Sequence, residues 1–562
     1  MATQPANRTD PAASEACRLL CAGVYLDAAF RDRVINELYV HDERVVAPSF
    51  GFDAARVLAH ALRARRADLV CGLAILAVWT VTVMLLPEVF LLLFPVVILA
   101  AVPALRAGDP RAGRPRRVLA QCLRWYGLLA LLVTALTTAD LVAGSLRSLG
   151  GAHGTETVTD IPLPWPVGPE VLVGPRHAWA ALAVFLLSAL AVGAQRAMVA
   201  GALAGALSPS RFPDLAADPA EQADGPRFQR VRTLIRREQH APLVLYRVGD
   251  LFCGAGTPHE AWSTSVELRP RKGHTPGPLD NDTVLNWIRQ ALEPLREPSG
   301  GGAQQGAAAV RDRLRTVEAD ECVFLPVDGL PSRHVAPHTQ EEFELHRVAS
   351  IEEGGEARRH CLRIRVGGWG EGLVVTVFVR VHTQGGVMVL EFAPHVLWPL
   401  RPQFQNADRI AHRLRHQSLA GKALWALGHT PESLGLALRI GASAVFSAWA
   451  VFTLGDGRLL PDGPAVSLRE LGSGDEPSHV QKMDADRYLR GIQDRVIGGV
   501  QQALHEAGWQ TTEERTVNVG NGGVFIDTVH GAVGVGDHNT ITTHTTPHSR
   551  TDAKERKTHG NS

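Results

Sequence analysis

The sequence predicts a membrane α-helical protein with four transmembrane helices, a cytoplasmic α+β domain, a helical region and a disordered or β-prone C-terminal tail. Three observations predict this fold class. Four apolar blocks lie between residues 69 and 200, short runs rich in β-branched residues follow up to residue 397, and residues 516–543 contain no lysine, arginine or glutamate. Averages over the chain hide this division, because 57 Lys+Arg balance 57 Asp+Glu and the mean hydropathy is 0.00.

Each apolar block approaches the ~20 residues that a helix needs to cross a bilayer. The blocks are 69–86, 89–105, 125–146 and 178–200. The lipid bilayer is therefore a predicted partner of this part of the chain. Nucleic acid is not, because a general nucleic-acid-binding protein needs a surplus of basic residues and this chain has a net charge of zero.

Arginines are concentrated on one side of these blocks. They precede the first block, separate the second from the third and follow the fourth, as in Arg63, Arg65, Arg66, Arg111, Arg116, Arg117, Arg196 and Arg211. The loop between the third and fourth blocks holds only Arg147 and Arg176. The positive-inside rule therefore predicts a multi-pass protein of the cell (inner) membrane with both termini in the cytoplasm.

Asp140 is the one acid well inside a predicted span. Intramembrane acids are candidates for proton or ion relays, so Asp140 is a possible intramembrane polar site. It lies six residues from the predicted outer end of its helix. There its carboxylate can reach the interface without any role in transport.

The composition divides the chain into five parts. They are a cytoplasmic N-terminal helical segment (1–66), a four-helix transmembrane region (67–200), a cytoplasmic α+β domain (201–401), a cytoplasmic helical region (402–510) and a flexible tail (511–562). Strands are expected at 242–248, 263–270, 360–366, 373–382 and 386–397, the last two joined as a hairpin through residues 383–385. An amphipathic helix is expected over 484–507.

Residues 434–454 raise the question of a fifth span. Arg439 interrupts this apolar stretch, and the uninterrupted run from 440 to 454 has 15 residues. That length favours a buried or interfacial helix over a crossing.

No motif predicts catalysis, a cofactor or a metal ion. The sequence lacks a G-x-S-x-G elbow, a Walker A loop, an H-E-x-x-H helix and a dinucleotide-binding glycine pattern. His412 and His416 have the i, i+4 spacing of two metal ligands, but arginines separate them and no glutamate completes the motif. We therefore expect a protein that is not an enzyme.

The tail has the composition of a segment that can stack in register. Valine and isoleucine alternate with glycine, asparagine and threonine, and such segments form dry zippers and amide ladders. Residues 533–541 (VGVGDHNTI) resemble the RIP homotypic interaction motif and related bacterial amyloid-signalling sequences. The matching positions are Val533, Val535, Gly536, Asn539 and Ile541, while Gly534 stands where the motif has glutamine.

The resemblance implies templated assembly with proteins that carry a similar segment, or with further copies of this chain. We therefore expect a membrane-anchored signalling or assembly adaptor or effector, of a type found in high-GC actinobacteria. One alternative is an integral membrane scaffold in which the tail has no amyloid role. Another is a transporter or channel, which would need polar residues along several spans.

Overall fold

The computed structural model describes residues 10–106, 114–149, 175–222, 225–273, 275–296, 314, 317–352, 355, 357–368, 372–454, 460–474, 477–520 and 523–526. The α-helices are α1 (Glu15–Leu26), α2 (Ala28–Ile35), α3 (Ala54–Leu85), α4 (Val89–Arg106), α5 (Arg114–Leu149), α6 (Pro175–Ala204), α7 (Pro226–Glu238), α8 (Asn281–Leu292), α9 (Gln340–Ile351), α10 (Pro402–Gln405), α11 (Ala407–His416), α12 (Leu419–Leu454), α13 (Leu468–Gly472) and α14 (His479–Glu506). The strands are β1 (Leu243–Tyr246), β2 (Thr257–Pro258), β3 (Ala261–Pro270), β4 (Val317–Pro326), β5 (Arg359–Gly368), β6 (Leu373–Gln384), β7 (Val387–Leu397), β8 (Trp509–Gly520) and β9 (Gly523–Ile526).

Four described helices are long and apolar enough to cross a membrane. They are Ala54–Leu85, Val118–Arg147, Pro175–Ala204 and Leu419–Thr453. Three of them correspond to the predicted first, third and fourth blocks, the first ending one residue before the predicted end. The predicted second block forms the shorter helix α4, and the fourth candidate is α12, which the sequence had assigned to the helical region. These helices are compatible with a membrane protein.

Helix α12 differs from the expectation for residues 434–454. Instead of an apolar helix of 15 residues, the chain forms one helix of 36 residues from Leu419 to Leu454, with Pro431 inside it. Arg439 is exposed and does not interrupt the helix. This helix packs against α3, α4 and α6, and those contacts join segments that are far apart in the sequence.

The first unit of the fold is the bundle formed by α3, α4, α5, α6 and α12, and the N-terminal core is the second. This core consists of buried apolar residues from α1 to α3, from the segment after α6 and from the region around α10 and α11, including Leu20, Leu58, Leu203, Phe212, Phe404 and Ala411. Asp53 caps α3 by accepting a hydrogen bond from the Ala55 backbone N–H. The core therefore joins segments that are hundreds of residues apart in sequence.

The start of α12 leads away from the N-terminal core. Helix α11, directly before it, packs on α6 and buries Ala411 in the core together with Leu203. Farther along α12, Ala426 lies beside Gly193, where a Cβ would be 3.8 Å from the Ala426 Cβ. Because Gly193 lies ten residues before Leu203 on α6, the chain from α11 into the first part of α12 runs antiparallel to α6.

The end of α12 returns to the same core. Arg65 donates hydrogen bonds to the Ser443 carbonyl at 2.9 Å and to the Ser447 hydroxyl at 2.8 Å. Val451, later in the helix, packs against the N-terminal core. The segment before α12 and the end of α12 thus approach the same core, so the helix bends along its length. Pro431 lies inside the helix, and proline is the usual cause of a sharp bend.

The third unit is a nine-stranded sheet with the order β1-β4-β5-β6-β7-β3-β8-β9, to which β2 adds at β7. Strands β1 and β4 are parallel and the other pairs are antiparallel. The predicted hairpin joins β6 to β7, but its turn is Gly385-Gly386, with φ values of 61° and 78°, rather than residues 383–385. A two-residue loop with two positive φ angles matches the twist of an antiparallel pair.

The C-terminal hairpin extends this sheet. Strand β8 pairs with β3 and strand β9 pairs with β8, so the region that the sequence assigned to a tail from residue 511 begins as a sheet strand. The interaction motif (Val533, Val535, Gly536, Asn539 and Ile541) lies outside the described residues.

Candidate functional site: a pocket between the sheet and helix α14

A pocket of about 530 Å³ lies between helix α14 and strands β3 and β7. Its volume falls in the range of small-molecule sites, which are concave and mostly apolar with a few polar groups. We call it the sheet pocket.

The floor of the sheet pocket follows from strand alternation. Side chains two residues apart on a strand share a face, and Trp262, Thr264 and Val266 of β3 line the pocket together. Phe392 of β7 is the register partner of Trp262. The two rings stack with centroids 5.0 Å apart and planes inclined by 13°. The floor thus combines one stacked aromatic pair with the smaller side chains of Thr264 and Val266.

Helix α14 forms the opposite wall. It starts with a capping box in which the Ser478 side chain accepts from the Gln481 backbone and Gln481 reaches back. The amphipathic helix predicted here buries its apolar face in the core of the sheet domain: Leu489, Ile492, Val496, Val500 and Leu504. Ile497 lines the pocket. The predicted start at residue 484 is five residues late.

Polar groups gather at the mouth of the pocket. His259 Nε2 lies 3.4 Å from Asp486 Oδ1 and connects the β3 side to α14. Arg490 and Gln493 of α14 also line this rim. Both partners of the His259–Asp486 contact are well exposed, so it contributes little to stability. The rim offers both donors and acceptors to a ligand.

One polar atom of the floor is unsatisfied. Trp262 Nε1 is buried and has no hydrogen-bond partner among the described residues. A buried indole N–H usually finds an acceptor, and leaving a buried donor unpaired costs about 1–3 kcal/mol. The arrangement suits a ligand that has an aromatic or apolar part for the floor and polar groups for Glu260, Arg490 and Gln493.

The structure places the other predicted residues apart from this pocket. Asp140 is on an exposed face of α5. His412 and His416 lie side by side on α11, with ring centroids 4.3 Å apart. Within the described part of the chain, no group of three or more His, Cys, Asp or Glu residues could hold a metal ion.

Sequence reasoning missed the sheet pocket because its walls come from distant segments. It had identified residues 263–270, 386–397 and 484–507 as separate elements. Their periodicity shows that each has an apolar face. It does not show that β3 lies next to β7, since in the chain they are separated by β4, β5 and β6.

The comparisons with known proteins cover this same region. The family model described as the AbeC-like domain matches residues 261–533. The matched region contains β3, β7 and α14, and it extends to the first residue of the predicted interaction motif. No curated protein and no solved structure matches the chain. The sheet domain with its pocket is therefore similar to the AbeC-like domain.

Proposed function

We propose that this chain is a membrane-anchored signalling adaptor that recruits partners, or further copies of itself, through its C-terminal segment. The observation that supports this proposal best is the position of the C-terminal hairpin. Strand β9 ends the strand order of the sheet, and within the described residues its outer edge pairs with no other strand. An open edge of this kind can add a strand from another chain.

The motif residues Val533, Val535, Gly536, Asn539 and Ile541 follow this edge by a short distance in sequence. Strand β9 ends at Ile526, seven residues before Val533. Partner strands that stack on the motif would thus be held close to the sheet domain. The bundle would hold the whole assembly at the bilayer.

A ligand bound in the sheet pocket could regulate this adaptor. Strand β3 forms the pocket floor with its side chains and pairs with β8 through its backbone. Helix α14, the other wall, leads directly into β8. A ligand that stabilises β3 and α14 would therefore favour the paired state of the C-terminal hairpin.

The bend of α12 supports the proposed topology. If α3, α4, α5 and α6 cross the bilayer, α12 leaves and re-enters on one side, because α11 directly before it and Val451 near its end both pack in the N-terminal core. Both termini would then be cytoplasmic, in the cell (inner) membrane.

The test uses the full chain in nanodiscs. We expect thioflavin-positive assemblies that seed further assembly, and we expect Asn539→Asp or Gly536→Pro to abolish them. Asn521→Asp, outside the motif, is the matched control and should still assemble. Wild-type protein that stays dispersed at high concentration would contradict the adaptor proposal and favour a membrane scaffold without an amyloid role.

The transporter or channel alternative draws less support from the structure. Transport requires polar side chains that converge between spans. Asp140 is exposed on α5 rather than turned into the bundle.

A further inference from the structure

A second cavity lies where α6 meets α11 and α12. Its volume is about 650 Å³. One wall is a face of α6 with small residues, among them Gly193, Ala197 and Gly201. Because these residues are spaced four apart, they lie in line on one side of the helix. We call this cavity the basic groove.

Four cationic side chains line the basic groove: Arg196, Arg211, Arg415 and Lys422. No aspartate or glutamate lines it. Across the described residues, none of the four cations forms an ion pair with a carboxylate. This contrasts with the arginines of the N-terminal core, such as Arg18 and its partner Asp408. The groove is positive and uncompensated.

Arg196 is the cation of the groove whose position is fixed by an aromatic ring. Its guanidinium lies 3.9 Å from the centre of the Trp425 ring, which fixes the position of the side chain. Its Nη1 atom is buried and has no hydrogen-bond partner among the described residues. Guanidinium N–H groups match the oxygens of phosphate, and a buried one without a partner is costly.

The groove is also continuous with membrane-type helices. Both α6 and α12 are among the helices that are long and apolar enough to span. Arg211 and Arg415 lie beyond the apolar part of α6, while Gly193 and Ala197 lie within that helix. The charged end of the groove therefore faces the headgroup level and the small-residue wall extends towards the hydrocarbon.

We propose that the basic groove binds an anionic phospholipid, with the phosphate among the four cations and an acyl chain along the small-residue face of α6. Charge complementarity selects an anionic headgroup over a zwitterionic one. The open wall of α6 supplies apolar contact that a free phosphate could not use. The proposal rests on insertion of the helices in a bilayer and does not depend on the C-terminal motif.

The test measures binding of a fluorescent phosphatidylglycerol to the full chain in neutral detergent micelles. Phosphatidylcholine with the same label and inorganic phosphate are the comparison ligands. We expect phosphatidylglycerol to bind at least tenfold more tightly than phosphatidylcholine, and millimolar inorganic phosphate not to displace it. Equal binding of the two lipids, or displacement by phosphate alone, would overturn the proposal.

Two kinds of variant locate the site. Arg211 and Arg415 are exposed, so Arg211→Gln with Arg415→Gln should fold normally and weaken phosphatidylglycerol binding roughly 30-fold, about fivefold for each charge lost. Arg413→Gln, on the same helix as Arg415 but outside the groove, is the matched control and should leave binding unchanged. An unchanged affinity in the double variant would overturn the assignment.

A steric variant tests the acyl part independently. A Cβ at Gly201 meets no atom within 4 Å, so Gly201→Leu would fill the groove without a clash. Gly144→Leu on α5 is the control, since that glycine is equally open and lies outside the groove. Loss of binding in Gly201→Leu alone is the expected result, and binding equal to that of the Gly144→Leu control would contradict the predicted acyl path.

Discussion

The N-terminal core and the sheet domain are stabilised in opposite ways. In the N-terminal core, arginine side chains are as buried as the leucines around them: Arg56 is 0% exposed and Arg18 is 3% exposed. In the sheet domain, the face covered by α8 and α14 is a continuous apolar cluster. Most of its ion pairs lie on the other face or at the surface, and the exception is Glu321, which pairs with His360 and with Arg289 of α8 at the edge of the apolar cluster.

The Arg56 network illustrates the first kind of stabilisation. Arg56 donates to Asp218 Oδ2 and to the Ala12 and Phe212 carbonyls, at distances of 2.7 to 3.1 Å. His60 Nε2 lies 3.0 Å from the same carboxylate oxygen. Burial raises the pKa of Asp218, but hydrogen bonds from His60 and Arg56 outweigh it and hold this pKa well below its ordinary value.

In the sheet, the ion pairs follow the strand register. Asp320 and Glu318 of β4 pair with Arg363 and Arg365, which are directly opposite on β5. On the covered face, the alternate residues of β5, such as Ile364, are fully buried. Cross-strand pairs of this kind each contribute only tenths of a kcal/mol.

This contrast shows that different interactions hold the two units in their folds. The N-terminal core must bring together segments that are remote in sequence, and a buried arginine that misses its partner costs several kcal/mol. The sheet domain is held together mainly by matching apolar faces. The free energy gained by burying them scales with the buried apolar area. Four changes can break or sharpen this contrast.

The largest effect is expected from Arg56→Met. This change leaves Asp218 buried without its arginine, so we expect the free energy of unfolding to fall by about 3–5 kcal/mol. Denaturant unfolding of the full chain in detergent measures it. Arg230→Met is the control, because that side chain is 56% exposed and 4.0 Å from Asp42. Equal effects of the two changes would contradict the contrast.

Acidification should destabilise the sheet domain through His395. Burial beside Phe252 and Phe378 lowers the pKa of His395 to about 4. Because the unfolded histidine has a pKa near 6.5, the unfolded state binds the proton first, and stability falls as the pH drops from about 6.5 to about 4. The limiting loss is about 3 kcal/mol at about 1.4 kcal/mol per pH unit.

His395→Phe should remove this part of the pH dependence. Unfolding free energies of wild type and variant, compared at pH 7 and pH 4.5, isolate the contribution of the histidine. Parallel losses in both proteins would show that other groups control the acid response.

Two adjacent glycines of α14 give a smaller, matched comparison. A Cβ at Gly499 would lie 2.6 Å from the Ile288 Cα of α8, whereas a Cβ at Gly498 meets nothing within 4 Å. Gly499→Ala must push the two helices apart and should cost about 1–3 kcal/mol. Gly498→Ala should stabilise the helix by up to about 1 kcal/mol. Changes of the same sign in thermal unfolding would show that α8 and α14 are not in this close contact.

The smallest effect is expected from Arg380→Met. Arg380 and Glu391 are register partners on β6 and β7, with Nη1 and Oε2 3.6 Å apart and the glutamate side chain 41% exposed. Loss of this pair should change stability by less than about 1 kcal/mol. Double-variant cycles with Glu391→Gln measure the coupling, and a value above about 2 kcal/mol would place strong ion pairing in the sheet as well.

Several elements could be predicted from the sequence because their signals are local. Apolar runs, β-branched strands and the capped amphipathic helix α14 all lie close to their predicted positions. Strand β4 was missed because Glu318, Asp320 and Glu321 make it look like a polar loop. Arg365, Arg363 and His360, which pair with these acids from β5, are more than thirty residues away.

The sequence by itself determined the apolar helices, the arginine clusters beside them and most of the sheet strands, since composition and periodicity are properties of neighbouring residues. Tertiary structure decided that α12 is one bent helix, that β3 lies between β7 and β8, and that the sheet pocket and the basic groove exist. Each of these depends on contacts between segments far apart in the chain, and local periodicity carries no information about which faces meet.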